Sequence, residues 1–388
     1  MIFDSKSIHR TLRCLGLVLT LSLSAFPAAH AAPATCEKSW PAWDAFKKNL
    51  IDEDGRVVDS ISDAMITTSE GQAYALFFAL VANDRAMFDA LLDWSEKNLA
   101  AYDLMTRLPS WQWGGEDDQS RGVMDENSAS DADLWMAYTL GEAGRLWADR
   151  RLVALSSLLA DRILATETKE VPRLGLVLLP GATGFTPSAT RVRLNPSYVP
   201  LQLMRWFVTH SKDPRWTSLL NTSRRLIIDS APEGYAPEWA IYDDDKGFML
   251  DEDDERRGLG SYNAIRVYLW AGMLNPVDPD RRALLDALKP MARFVARHGF
   301  PPESINITTG VANNPGPAGF SAAMVPFLHA TGMKRAVEEQ LLRIAAHPIP
   351  KDSYYSQVLS LYALGWHDNL YRFDLNGNLT PRWISTCP

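Results

Sequence analysis

"ITTSEGQAYALFFALVANDR" (66–85) decides the fold. Its residues Tyr74, Phe77, Phe78 and Val81 fall at i, i+3, i+4 and i+7, the spacing of one helix face. Ahead of them, Thr67-x-x-Glu70 has the form of a capping box, and a glutamate in a first turn also suits the helix dipole. The stretch predicts a helix over 69–83 with a carboxylate at its entrance.

The same period recurs along the chain, in part at Val337, Leu341 and Ile344, and Pro, Gly and Asp/Asn clusters cut it into segments. Helices are predicted over 41–52, 69–83, 85–99, 130–147, 149–166, 196–209, 213–230, 259–273, 280–298, 317–330, 333–346 and 353–366. Roughly one helix per 30 residues is a helical-hairpin rhythm, and short connections make sequential helices antiparallel neighbours. The expected fold is all-α: six hairpins closed into an (α/α)6 barrel, alternate helices inside, with short β-hairpin excursions. "LGLVLLPG" (174–181) reads as a strand, and "YRFDLNGNLTPRW" (371–383) as a hairpin about Asn376-Gly377. Two longer stretches, 100–128 and 231–258, are not helical. If the even-numbered helices form the inner ring, their N-termini lie at one end and their polar residues meet in one cavity.

The 388 residues show no composition break, so a single domain is expected over 32–388. Residues 1–31 have the form of a secretory signal. Lys6, Arg10 and Arg13 precede the apolar run Cys14–Phe26, which is too short to span a bilayer, and Ala29-His30-Ala31 fits a cleavage site. The alternative is an uncleaved anchor; after cleavage no membrane insertion is expected. Removing the segment takes off three positive charges and one negative, moving the net charge from −8 to about −10. Such an acidic chain is a poor partner for nucleic acid or anionic membranes but does not repel a neutral substrate. Cys36 and Cys387 remain, either as a pair tying the termini or as two thiols.

Three helix entrances carry candidate chemistry. Glu70 opens the second helix, Asp131 and Asp133 follow Ser130 in "ENSASDADLWMAYTLGEAGRLW" (126–147), and "SYNAIR" (261–266) presents Tyr262, Asn263 and Arg266 behind Ser261 as N-cap. Each alone reads as an ordinary cap or a dipole partner. Two residues apart on a helix, Asp131 and Asp133 point about 200° apart, so at most one faces the cavity. Together, Glu70, Asp131 and Asn263 lie at the entrances of even helices. Two carboxylates across a cavity suit glycosidic cleavage, one giving a proton to the leaving oxygen and the other activating water or attacking the sugar. The 13 Trp point the same way. Trp111 and Trp113 in "RLPSWQWGGEDD" (107–118), with Tyr262 and Tyr354-Tyr355, lie near these entrances and offer faces on which sugar rings stack, unless they serve core packing.

Other motifs fail. The 7 His show no zinc spacing, and no nucleophile elbow, phosphate loop or dinucleotide fingerprint occurs. "DEDDE" (251–255) starts like a calcium loop but has Arg256 where glycine is required, so it reads as a solvated face. No metal or other cofactor is expected.

The segment "ASDADLWMAYTLGEAGRLW" (129–147) resembles the signature of glycoside hydrolase family 8, departing at Thr139. Residues 66–85 resemble the family's general-acid segment and "SYNAIRVYLW" (261–270) its helix-eight segment, and the similarity runs over essentially the whole mature chain. It is greatest, through "WPAWDAFK" (40–47) and "GFSAAMVPFL" (319–328), to the periplasmic members encoded with bacterial cellulose synthase. The resemblance implies an inverting endo-β-1,4-glucanase acting on cellulose in the periplasm or outside the cell, with the cellulose synthase and secretion complex as a partner. It implies Glu70 as proton donor, Asp131 as nucleophile or sugar-distorting carboxylate, and Tyr262 and Arg266 beside the sugar. Trp111, Trp113 and Tyr354 are expected to bind substrate. Many members carry an aspartate base where this chain has Asn263. An amide accepts a hydrogen bond but not a proton near neutral pH. Three accounts follow: a substitute carboxylate (Asp131 or one from 243–255), a slowed enzyme, or a glucan-binding accessory that does not cut. A chitosan, xylan or mixed-linkage substrate is the other alternative within the family.

Overall fold

The protein is described from a computed structural model that covers residues 40–60, 64–115, 120–251 and 257–386. The expected signal segment, Cys36, Cys387 and residues 252–256 of the acidic run lie outside the described residues.

Among the described residues, twelve helices occupy the predicted segments: α1 (Pro41–Leu50), α2 (Ser69–Val81), α3 (Arg85–Leu99), α4 (Ser130–Leu146), α5 (Arg150–Thr166), α6 (Leu201–His210), α7 (Arg215–Asp229), α8 (Ala264–Met273), α9 (Arg281–His298), α10 (Ala318–Ala330), α11 (Lys334–Ala346) and α12 (Tyr354–His367). A short turn, α13 (Trp383–Thr386), follows. Burial sorts them into two classes. Every residue of α8 is buried, as is every residue of α2 except Glu70. A helix that is apolar on all sides belongs inside. In α9 only the stripe Leu284, Leu285, Leu288, Met291, Ala292 and Val295 is buried, the pattern of a helix with one solvent face. The inner helices pack in the order α2, α4, α6, α8, α10, α12, and α12 packs back on α2. Each of α3, α5, α7, α9 and α11 lies against the inner helix before it, and α1 backs α12. The expected (α/α)6 barrel is thus present, with its sixth pair drawn from opposite ends of the chain.

Aromatic rings fill the ring's centre. The Tyr362 centroid lies 4.7 Å from Phe78, 5.2 Å from Phe77 and 5.0 Å from both Trp135 and Trp270. Truncating one such side chain to alanine costs about 3–5 kcal/mol. In α8, a Cβ on Gly272 would collide with the Phe327 nitrogen, so glycine is what lets α8 and α10 touch backbone to backbone.

The strands are short excursions between helices. They are β1 (Thr67–Thr68), β2 (Gln112–Gly114), β3 (Gly122–Asp125), β4 (Thr168–Val171), β5 (Gly175–Leu178), β6 (Arg191–Leu194), β7 (Ala240–Asp243), β8 (Gly247–Leu250), β9 (Leu259–Gly260), β10 (Pro302–Asn306), β11 (Ala312–Pro315), β12 (Tyr371–Phe373) and β13 (Leu379–Pro381). All pair antiparallel with their neighbours, as β1-β2-β3, β4-β5, β6-β7-β8, β9-β10-β11 and β12-β13. The predicted strand near 174–181 is β5, and the terminal hairpin is β12-β13, turned by Gly377 at φ +81°. This hairpin docks on the far end of α4, where Tyr138 donates to the Gly377 carbonyl (2.9 Å) and buried Glu142 accepts from the Leu379 N–H (2.6 Å). Two helix starts differ from expectation. The helix predicted from 196 begins only at Leu201, after a 3-10 turn at Pro196–Tyr198 and then Pro200. Residues 259–260 are strand, because Gly260 pairs with Ile305 of β10, and α8 starts only at Ala264. No helix among the described residues is long and apolar enough to cross a membrane.

Candidate active site

The entrance of α2 leaves Glu70 out of the helix cap. The N-cap is Thr68, whose Oγ1 accepts from the Gly71 N–H (3.1 Å), not Thr67. Thr67 is buried, donating to the Val57 carbonyl (2.6 Å) and accepting from Arg56 Nε (2.7 Å). The predicted capping box therefore does not form, and the Glu70 carboxylate turns to Arg266 of α8 instead. At the entrance of α4, Ser130 caps nothing with its side chain, and its N–H donates to the Pro180 carbonyl (3.0 Å). Asp131 accepts the Ala132 N–H on Oδ1 (2.8 Å).

Arg266 joins three helices. Its Nη1 donates to Glu70 Oε2 (2.5 Å), Asp131 Oδ2 (3.0 Å) and the Tyr74 hydroxyl (2.8 Å), while Nη2 donates to Asn263 Oδ1 (2.7 Å). The half-buried Tyr198 ring, just ahead of α6, lies 5.5 Å from the guanidinium carbon. A planar fork of donors suits this work as a lysine would not. The side chains of Arg266 and Asp131 are 3% and 2% exposed against 20% for Glu70, so Glu70 is the more accessible carboxylate. Because Glu70 Oε2 and Asp131 Oδ2 share one nitrogen, they lie no more than about 5.5 Å apart. Burial and the Glu70 charge push the Asp131 carboxyl up to about 7, against the pull of Arg266. Burial acts to lower the Arg266 pKa, but the surrounding acidic groups outweigh it and hold the guanidinium charged.

Asn263 occupies the N-cap position of α8. The predicted cap, Ser261, instead donates its hydroxyl to the Glu303 carbonyl (2.5 Å). Capping is done from a distance by Glu238, in the loop before β7. Its Oε1 accepts from the N–H groups of Ser261 (2.7 Å), Asn263 (2.9 Å) and Ala264 (3.0 Å), and its Oε2 accepts from Asn263 Nδ2 (3.1 Å). Glu238 is 2% exposed. Of the carboxylates considered in 243–255, Asp243 pairs with Arg191 (2.8 Å) and Asp251 with Arg193 (2.5 Å), both arginines on β6. Asp133 turns away from Asp131 into the interior, where burial and Glu167 push its carboxyl well up. Glu167 is itself raised to about 8 by burial and accepts from the Ser128 hydroxyl (2.5 Å).

The aromatics form two groups. Tyr262 is exposed, donates to Glu303 Oε1 (3.0 Å), packs on Phe320 at 5.1 Å, and accepts a hydrogen bond from the Tyr355 hydroxyl on its carbonyl. Tyr354, the first residue of α12, is buried. Trp111 is half-buried and accepts the Ser69 N–H on its carbonyl (3.0 Å), fixing it beside the α2 entrance. Trp113 lies under Arg56 (4.4 Å) with Trp94 against it at 5.3 Å. A second group adjoins Arg266 through Tyr198. Trp239 stands 6.1 Å from Tyr198 and 6.1 Å from Phe185, nearly parallel to the latter at 17°, with Arg193 over its ring at 4.2 Å.

The sequence reading missed Tyr74, Glu238 and the Tyr198–Trp239–Phe185 wall. Tyr74 was within reach, since it follows Glu70 by four residues and so shares its helix face. Tyr198 lies in the 3-10 turn Pro196–Tyr198 ahead of α6, and Glu238, Trp239 and Phe185 come from loops, where no period marks which side chain turns inward. Among the described residues, no group of three or more His, Cys, Asp or Glu is arranged to hold a metal ion.

Residues 16–369 match the sequence profile of the Glycosyl hydrolases family 8. A protein of Escherichia coli K12 named endoglucanase is 45% identical over 372 residues, 96% of this chain and 97% of its own. The crystal structure of an endo-1,4-D-glucanase from Vibrio fischeri superposes with a TM-score of 0.82 at 45% identity, covering 89% of this chain and all of that one. An endo-β-1,4-glucanase from Acetobacter xylinum superposes at 0.69 with 27% identity, covering 83% of this chain and 95% of its own.

Proposed function

The chain belongs to glycosyl hydrolase family 8, and on that premise we propose that it is an endo-acting hydrolase of the internal β-1,4-glucosidic bonds of cellulose. The observation that carries the reading is the Arg266 fork, which holds Glu70 and Asp131 together at the entrances of two inner helices. The two aromatic groups, and relatives named endoglucanase at 45% identity, support a β-glucan as the substrate.

Glu70, the more open carboxylate, gives its proton to the leaving oxygen. Asp131 has Oδ1 taken by a backbone N–H and Oδ2 by Arg266, and holds the sugar rather than attacking it. The spacing bears on stereochemistry. Carboxyl pairs that invert stand about 6.5–9.5 Å apart to admit a water. The Glu70–Asp131 oxygens are too close for that, so for an inverting reaction the water lies elsewhere, on the Asn263 side of the fork. Tyr262 and Arg266 flank the sugar at the cleavage point, and Trp111, Trp113 and Tyr354 line the cleft.

Two further parts of the reading rest on the sequence alone. The basic-then-apolar start with Ala29-His30-Ala31 supports export, to the periplasm or beyond. The likeness of residues 40–47 and 319–328 to members encoded with cellulose synthase supports action on nascent cellulose near the secretion complex.

The test is a reducing-end assay on carboxymethylcellulose with the parent and Glu70→Gln. The variant is expected to lose at least about a hundredfold in kcat. Equal activity refutes the acid role. A parent that binds the polymer without releasing ends establishes the accessory reading that Asn263 motivates.

A further inference from the structure

The hydrolysis proposed above leaves one proton without a destination. The attacking water must lose it, and the residue facing Arg266 across the fork from Glu70 is an amide. We propose that Glu238 is the final acceptor of that proton, reached through the side-chain amide of Asn263.

The contacts fix the amide's orientation. Asn263 Oδ1 faces the Arg266 guanidinium and Nδ2 faces the Glu238 carboxylate, and the reverse flip would set oxygen against carboxylate and N–H₂ against guanidinium. Oδ1 has a second lone pair, and Asn263 is half-buried at the cleft, so a water can donate to it. Behind it, Glu238 Oε1 is filled by three backbone N–H groups, while Oε2 takes only the Asn263 amide among the described residues. Glu238 is too deeply buried to meet the water itself. The fork's geometry also separates the roles. Asp131 shares Nη1 with Glu70, whereas Asn263 sits on Nη2, the other terminal nitrogen of the guanidinium.

The step balances. The water oxygen bonds to the anomeric carbon as the glycosidic C–O bond breaks, and the leaving oxygen takes the Glu70 proton. The water's proton passes to Asn263 Oδ1 while an Nδ2 proton passes to Glu238 Oε2. Glu70 ends ionised, Glu238 neutral and Asn263 as its imidic-acid tautomer. On product release the Oδ1 proton leaves to solvent, Glu238 returns its proton to Nδ2, and Glu70 is reprotonated from solvent. Glu238 is a positioning residue acting through Asn263, and its importance depends on residue 263 being an amide.

That dependence is the test. The parent, Glu238→Gln, Asn263→Asp and the double variant are compared on carboxymethylcellulose, with kcat and KM separated and melting temperatures recorded. In the parent background, with Asn263 in place, Glu238→Gln is expected to lower kcat about a hundredfold or more with KM little moved. In the Asn263→Asp background, where a carboxylate meets the water directly, the same change is expected to cost less than about tenfold. The acidic limb of the kcat/KM profile should also shift between the parent and the Asn263→Asp enzyme. A role confined to capping α8 lowers both backgrounds equally, and that result overturns the relay. Glu238→Asp, which keeps the charge but withdraws it by one methylene, is measured in both backgrounds as well and should show the same unequal losses if Glu238→Gln does not fold; equal losses overturn the relay here too. If the parent releases no ends from carboxymethylcellulose, the glucanase reading fails and the relay with it. If Glu70→Gln is inactive while changes at 238 cost the same in both backgrounds, the relay alone fails.

Discussion

Replacing Arg266 with methionine should destabilise the protein in a pH-dependent way. Arg266 is 3% exposed and its Nη1 serves both Glu70 and Asp131, the latter 2% exposed. Taking one partner out of a buried ion pair costs about 3–5 kcal/mol, because the other charge stays buried and unpaired. Here the remaining group can escape the cost by binding a proton. With Arg266 in place the Asp131 carboxyl already stands at about 7, raised by burial and by Glu70. Removing the cation that pulls it down raises it further. A carboxyl whose folded value exceeds its unfolded one contributes stability that is intact below the unfolded value and lost as pH climbs through the folded value. At pH 5 Asp131 is protonated in both proteins, and the variant loses packing and the hydrogen bonds of the fork. Above about pH 7 the parent ionises Asp131 against a guanidinium, while the variant must ionise it against nothing. The variant's deficit should therefore widen between pH 5 and pH 9, approaching the upper part of the 3–5 kcal/mol range at the alkaline end. Urea denaturation of parent and Arg266→Met at both pH values measures it. A deficit equal at the two values, or larger at pH 5, would refute the view that charge pairing governs this site.

Further expectations concern other parts of the molecule. Glu167, raised to about 8 by burial, should make the parent less stable as pH rises from about 4.5 through 8, and Glu167→Gln should flatten that slope in urea titrations. Trp239→Ala removes the centre of the Tyr198–Trp239–Phe185 wall and should raise KM about tenfold with kcat nearly unchanged, on a stacking contribution of about 1.5 kcal/mol. Proton NMR of fresh digests should show the α-anomer first; β-anomer at first release would make Asp131 an attacking group and the close Glu70–Asp131 spacing its signature.

The barrel was legible because its rule is periodic. Inner helices such as α2 and α8 are buried around their whole circumference and outer ones such as α9 along a stripe, so twelve helices could be counted from the chain. Glu70, Asp131, Asn263 and Arg266 were legible because position within a first turn is a local property. What escaped was anything that depends on how a loop folds back. Glu238 precedes Asn263 by 25 residues, in a segment with no period, yet it caps α8 in place of the neighbouring Ser261. The capping box at Thr67 failed for a related reason. Thr67 was drawn inward to Val57 and Arg56, a choice made by the tertiary fold. Local rules placed these side chains near their helix entrances, and the choice of partner was made across the ring.

The pairing of α1 with α12 has a consequence for how the molecule comes into being. Trp40 of the opening segment touches Phe78 of α2 and also lies against Gly365 of α12, and the second contact spans nearly the whole described chain. Trp383, later still, donates to the Leu80 carbonyl (3.1 Å). The ring is an arch without its keystone until the final helix is present, and contacts so distant in sequence form late. Any ribosome-bound intermediate that lacks α12 leaves bare the faces of α2 and α10 on which that helix packs. Such a chain is well suited to being held unfolded, and poorly suited to acquiring activity, until synthesis is complete.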